Sequence, residues 1–99
     1  MVSEKGTKAG VKVDVPASLR RLTGGQRWAE ARGRTVGEVL GELERRHPGL
    51  RARLRDESGE MRRTVLVFLN AEDIRLREGE ETAVREGDEL AIVPAIEGG

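Results

Sequence analysis

The chain has 99 residues, 36% hydrophobic and 36% charged, enough for one domain with a single modest core. Lys+Arg 18 against Asp+Glu 18 excludes the basic excess of a dedicated nucleic-acid binder, and one Trp with one Phe gives no aromatic series for stacking bases. Cys 0 and a single histidine, His47, exclude disulfides, thiolate metal sites, and any His-pair or Ser-His-Asp site within one chain.

The opening "MVSEKGTKAG" at 1–10 is polar and reads as a flexible lead-in. The sequence has neither a signal-peptide pattern nor an apolar run near about 18 residues, so the expectation is a soluble, cytoplasmic protein with no membrane contact. All three lysines (Lys5, Lys8, Lys12) lie at this end and every later cation is arginine. "VKVDVP" at 11–16 alternates Val11, Val13 and Val15 with Lys12 and Asp14, which predicts a half-buried strand stopped by Pro16. In "ASLRRLTGGQ", Thr23-Gly24-Gly25 marks a turn. "QRWAEAR" at 26–32 then predicts a second strand in a hairpin with the first, ended by Gly33.

"TVGE" at 35–38 fits a capping box, with Thr35 as the cap and Glu38 reaching back to the cap backbone. Val36, Val39, Leu40 and Leu43 follow at helical spacing, predicting a helix over 36–46 that ends before Pro48. "GLRARL" at 49–54 adds a short helical turn, and "DESGE" at 56–60 is a polar loop. "MRRTVLVFLN" at 61–70 is the strongest strand signal, followed by a short edge strand near 73–76. A Gly87-Asp88 turn leads to a last strand at 89–94. The order β-β-α-β-(short β)-β predicts an α+β domain over 11–94 on the β-grasp plan, one helix laid across a mixed sheet. Residues 95–99 form a flexible tail.

The chain resembles the ubiquitin-like sulfur-carrier proteins that serve molybdopterin, thiamine and cysteine biosynthesis. The likeness covers about residues 11–99. It rests on "TGGQ" at 23–26, "GRTVGEVLGELE" at 33–44, "PGL" at 48–50, "VFLNAEDIR" at 67–75 and "EGDELAIVPAIEGG" at 86–99. The "TGGQ" loop and the "PA-x-x-GG" tail are most similar to the carriers that feed cysteine synthesis. The polar lead-in and Glu97 depart from the pattern.

The resemblance implies a carrier that performs no catalysis and binds no cofactor. An adenylating enzyme similar to ubiquitin-activating enzymes would adenylate Gly99 with ATP, and a sulfur donor would convert it to a thiocarboxylate. In the cysteine branch this sulfur would attack an aminoacrylate on a PLP-dependent synthase. A JAMM-type zinc metalloprotease would later release the cysteine.

Elementary chemistry agrees with such a tail. A terminal carboxylate with a pKa of roughly 3.3–3.7 is ionised at neutral pH and is a poor electrophile until an oxygen becomes a good leaving group. Gly98 and Gly99 lack a Cβ and can thread a narrow site. Residues 95–99, including Ala95, Ile96 and Glu97, would reach about 17 Å when extended, at about 3.4 Å per residue.

His47 reads as a helix-terminal surface residue, "ELERRH" at 42–47 and "RLRDE" at 53–57 as solvated faces, and "TGGQ" as a tight turn. If Val65, Val67 and Leu69 face the helix, Leu66 and Phe68 face away, as does Val93 when Leu90 and Ile92 point inward. These three predict a partner-docking patch beside the tail. Two other readings stay open. One is a modifier that forms isopeptide bonds between Gly99 and target lysines; the other is a purely structural β-grasp interaction domain. The acceptor of the sulfur also stays open.

Overall fold

Val11, Val13 and Val15 alternate with Lys12 and Asp14, and all three valines are fully buried. The period-2 pattern thus becomes one covered face of a sheet. The computed structural model describes residues 8–94. Its strands are β1 (Ala9–Asp14), β2 (Trp28–Gly33), β3 (Val65–Leu69), β4 (Glu72–Asp73) and β5 (Glu89–Pro94), in the spatial order β2-β1-β5-β3-β4. β5 runs parallel to β1 and antiparallel to β3, so the last strand lies in the middle of a mixed sheet. This is the β-grasp arrangement expected from the element order. Helices α1 (Val36–Arg46) and α2 (Pro48–Leu54) cover one face.

The α1 stripe packs as its spacing predicts: Val36, Val39, Leu40 and Leu43 are fully buried against Val11, Val13 and Leu90. Thr35 Oγ1 accepts from the Glu38 amide at 3.2 Å. The Glu38 carboxylate, however, accepts from the Arg34 N–H at 2.8 Å, one residue before the cap. The strand-like stretch 82–84 pins the same helix end. Val36 N–H donates to Thr82 O at 2.9 Å and Val84 N–H donates to Arg34 O at 3.0 Å. Gly33 lets α1 start this close to β2, because a Cβ there would meet the Val39 nitrogen at 2.7 Å.

The remaining differences from the sequence reading are local. β1 begins at Ala9, so Ala9 and Gly10 belong to the strand rather than the lead-in; they pair with Gly33 and Arg32. Ala17–Thr23 winds into a 3-10 helix, and Gly24 and Gly25 close it at φ 71 and 83, values that favour glycine. α2 is a full seven-residue helix with Pro48 in its first turn. Met61–Thr64 is not strand. Met61 bridges to Arg55 and Val65 N–H donates to Arg62 O, so β3 starts only at Val65. The edge strand is Glu72–Asp73, and Ile74–Leu76 is a 3-10 turn capped by Asp73.

"ELERRH" and "RLRDE" are not wholly solvated faces. Glu44 is buried and Arg55 is largely covered, and the two are joined, with Arg55 Nε donating to Glu44 Oε2 at 2.8 Å. Arg55 also donates to Glu80 at 2.9 and 2.8 Å and to Gly59 O at 3.2 Å. One guanidinium ties α1, the end of α2 and the 79–81 turn together. Hydrogen bonding to Glu80 holds this guanidinium firmly protonated, against the opposing effect of burial.

Candidate functional site

Two turn motifs of the sequence meet at the start of β5. Asn70 donates from Nδ2 to Asp88 at 3.0 Å, accepts the Glu89 N–H on Oδ1 at 3.0 Å, and donates its own N–H to Glu89 O at 2.8 Å. Asp88 in turn accepts the Arg85 N–H at 2.8 Å. The Asn70 turn and the Gly87-Asp88 turn therefore fix the register of β5 against β3. That register pairs Leu66 with Val93 and Val65 with Pro94. β5 is held on both sides, by β1 and β3, and it leads to Pro94, the last described residue.

The strand phase is the expected one. Val67, Leu69, Leu90 and Ile92 are buried under the helices. Leu66, Phe68 and Val93 lie on the opposite face; Leu66 and Phe68 are half-buried and Val93 is 38% exposed. Ala91 lies between Phe68 and Asp14 across the strands, so the patch is a continuous apolar strip over β3 and β5. A groove of about 470 Å³ opens beside Pro94, lined in part by Leu19, Arg53, Thr64 and Val65. The larger depression of about 610 Å³ lies over the start of α1 and includes no β5 residue.

The other end of the same face is polar. Trp28 on β2 sits between two cations, Lys12 Nζ at 5.3 Å and Arg27 at 5.0 Å from its ring. Arg27 also pairs with Asp14 at 2.9 Å, and this hydrogen bond holds the Asp14 carboxyl below the usual carboxylate range. Sequence reasoning missed this cluster, since it forms only when β1 and β2 pair Asp14 with Trp28.

His47 caps α1, its N–H donating to Leu43 O at 3.0 Å. Among the described residues no group of three His, Cys, Asp or Glu side chains is placed to hold a metal ion. None of the described helices is long and apolar enough to cross a membrane. The five tail residues singled out from the sequence, Ala95, Ile96, Glu97, Gly98 and Gly99, lie outside the described residues.

Comparison with known proteins places this geometry. The model of the ThiS family matches residues 13–99. The sulfur carrier protein CysO of Mycobacterium tuberculosis is 42% identical over 91 residues, covering 90% of this chain and 98% of the relative. A chain of the Amycolatopsis orientalis BexX/CysO complex superposes with a TM-score of 0.82 at 44% identity, over 90% of this chain and 99% of that one. The small archaeal modifier protein 1 of Methanosarcina acetivorans gives a TM-score of 0.81 at 32% identity, over 93% and 98% of the two chains.

Proposed function

Because this chain belongs to the ThiS family of ubiquitin-like sulfur carriers, we propose that it carries sulfur as a thiocarboxylate on Gly99. The observation that carries the reading is the continuity of the end of the chain. The family match runs through residue 99, and Gly98-Gly99 comes four residues after Pro94, the last residue of a strand anchored in the centre of the sheet. A rigid body with a short glycine-ended extension can present a carboxylate to a cleft while the domain stays outside.

In the proposed sequence an adenylating partner joins the Gly99 carboxylate to the α-phosphate of ATP, and pyrophosphate leaves. Hydrosulfide, delivered by a sulfur donor, then attacks the acyl carbon and AMP leaves, so one carboxylate oxygen is exchanged for sulfur. The acceptor we propose is a PLP-dependent cysteine synthase, with a JAMM-type zinc metalloprotease releasing the product; ATP, PLP and zinc all act on the partners. Likeness to the CysO proteins supports the cysteine branch over molybdopterin or thiamine. Leu66, Phe68 and Val93 form the docking surface in this reading, since the strip ends beside Pro94, the last described residue before Gly99 in the sequence. Complex formation by the Amycolatopsis relative with BexX supports a protein partner.

Deleting Gly99 tests the proposal: the thiocarboxylate species should vanish while thermal stability is unchanged, because a chain end makes few packing contacts. Sulfur loading that persists without Gly99 would overturn it. A second reading, a modifier joined through Gly99 to target lysines, is favoured by the likeness to small archaeal modifier protein 1. Lysine-linked adducts on other proteins would distinguish it.

A further inference from the structure

The two edges of the sheet are treated differently. β2 is one edge, and side chains of α1 close it: the Arg32 N–H donates to Glu42 Oε1 and the Arg46 guanidinium donates to Glu30 O. Two of the backbone groups that could pair with a foreign strand are thereby occupied, a familiar defence of an exposed edge.

The opposite edge is left open over half its length. β4 pairs only with Phe68 and Leu69, so Val65, Leu66 and Val67 have a strand neighbour on the β5 side alone; the Val65 N–H is taken by Arg62 O, which leaves the Val65 carbonyl and both Val67 backbone groups on the open side. Beside this stretch runs a groove of about 510 Å³, with Met61, Val65 and Ile74 in its wall and Arg62, Arg63 and Arg75 along it. All three arginines are exposed. Asp73 neutralises Arg75 and the Arg62 guanidinium donates to Ala52 O at 3.1 Å, whereas Arg63 has neither a salt bridge nor a side-chain hydrogen bond among the described residues. The one acidic residue of the groove, Glu80, is bound by Arg55.

We infer that the open edge of β3 takes an extended acidic segment of a partner protein as an added strand. Main-chain pairing supplies the attachment, alternate apolar side chains enter the groove, and carboxylates meet Arg62 and Arg63. A second copy of this chain is the wrong occupant. Pairing β3 with β3 would bring two sets of these arginines together, and the β2 edge of a copy is obstructed by Glu42 and Arg46 of α1. The inference is independent of the chemistry at Gly99, and the strip formed by Leu66, Phe68 and Val93 begins on the same strand.

The test uses the full chain and a capped peptide of about eight residues in which valine alternates with glutamate, long enough for one ordinary strand. Amide NMR shifts should appear at Val65–Val67 and leave Trp28–Gly33 unmoved. Arg63→Glu should weaken binding roughly threefold or more, Arg63→Lys should leave it nearly intact, and added salt should weaken it. The inference is overturned by shifts confined to β2, by equal binding of a valine-lysine peptide, by self-association through β3, or by no binding up to about 1 mM peptide.

Discussion

Glu44 Oε2 accepts Arg55 Nε at 2.8 Å where α1 meets the end of α2, and both side chains are at least nine-tenths buried. Removing Arg55 leaves Glu44, buried, with only the longer contact to Arg51 at 3.6 Å. Arg55→Met should therefore cost about 3 kcal/mol or more, whereas Glu44→Leu combined with Arg55→Met should recover much of that loss. Urea denaturation of the single and double variants measures both. A loss below about 0.5 kcal/mol for Arg55→Met would show that water solvates the pair, as for a surface bridge.

Asn70 and Ala71 form the two-residue loop between β3 and β4, with φ of 48 and 73. Positive φ at both central positions is the type I′ hairpin pattern, in which glycine is favoured second. Ala71→Gly removes the Cβ penalty of the left-handed region and should stabilise by roughly 0.5–1 kcal/mol after the added chain entropy is offset. A raised thermal midpoint is the expected outcome, and a lowered one would place the turn in another conformation.

The docking strip is best tested at Val93, its most exposed member. Val93→Asp should leave the thermal midpoint unchanged and weaken binding to the adenylating partner about tenfold, since a buried carboxylate is costly in an apolar contact. Phe68→Asp is a poorer probe because Phe68 pairs directly with Asp73, so a second carboxylate would add cross-strand repulsion. Unaltered binding by Val93→Asp would remove the strip from the interface.

Three carboxyls are held below their ordinary range: Asp14 by its hydrogen bond to Arg27, Asp56 by Ser58, and Asp73 by Arg75. A depressed folded-state pKa contributes stability above the unfolded value and loses it as pH falls through the folded value. Stability contributed by these carboxyls should therefore be level from pH 7 to about 5 and decline below about pH 4. Asp73→Asn should flatten part of that decline in pH-dependent denaturation; an unchanged profile would contradict the assignment.

What could be read in the sequence was what local pattern encodes. The α1 stripe and its Thr35 cap depend on residues within one turn, and the inward and outward phases of β3 and β5 follow from alternation. Contacts between distant charged residues could not be read that way. Glu44, Arg55 and Glu80 each look like ordinary solvated charges, and only the packing of α1, α2 and the 79–81 turn brings them together. The start of β3 was also misplaced. Arg62 and Arg63 fit a strand pattern, but a turn hydrogen bond from Val65 to Arg62 competes there and prevails. Asn70 was recognised within a motif, while its bonds to Asp88 and Glu89 were visible only across the paired strands.

The central claim is that Gly99 carries the sulfur. Intact-mass spectrometry of the protein after incubation with ATP, an adenylating partner and sulfide measures it directly. The terminal carboxylate, ionised and unreactive until activated, should give a species about 16 Da heavier, confined to the C-terminal fragment and captured by a thiocarboxylate-selective probe. Gly98→Val should slow its formation strongly, because a branched Cβ obstructs threading of the tail. If a competent adenylating enzyme yields no such species and the mass stays that of the carboxylate, the carrier reading is contradicted.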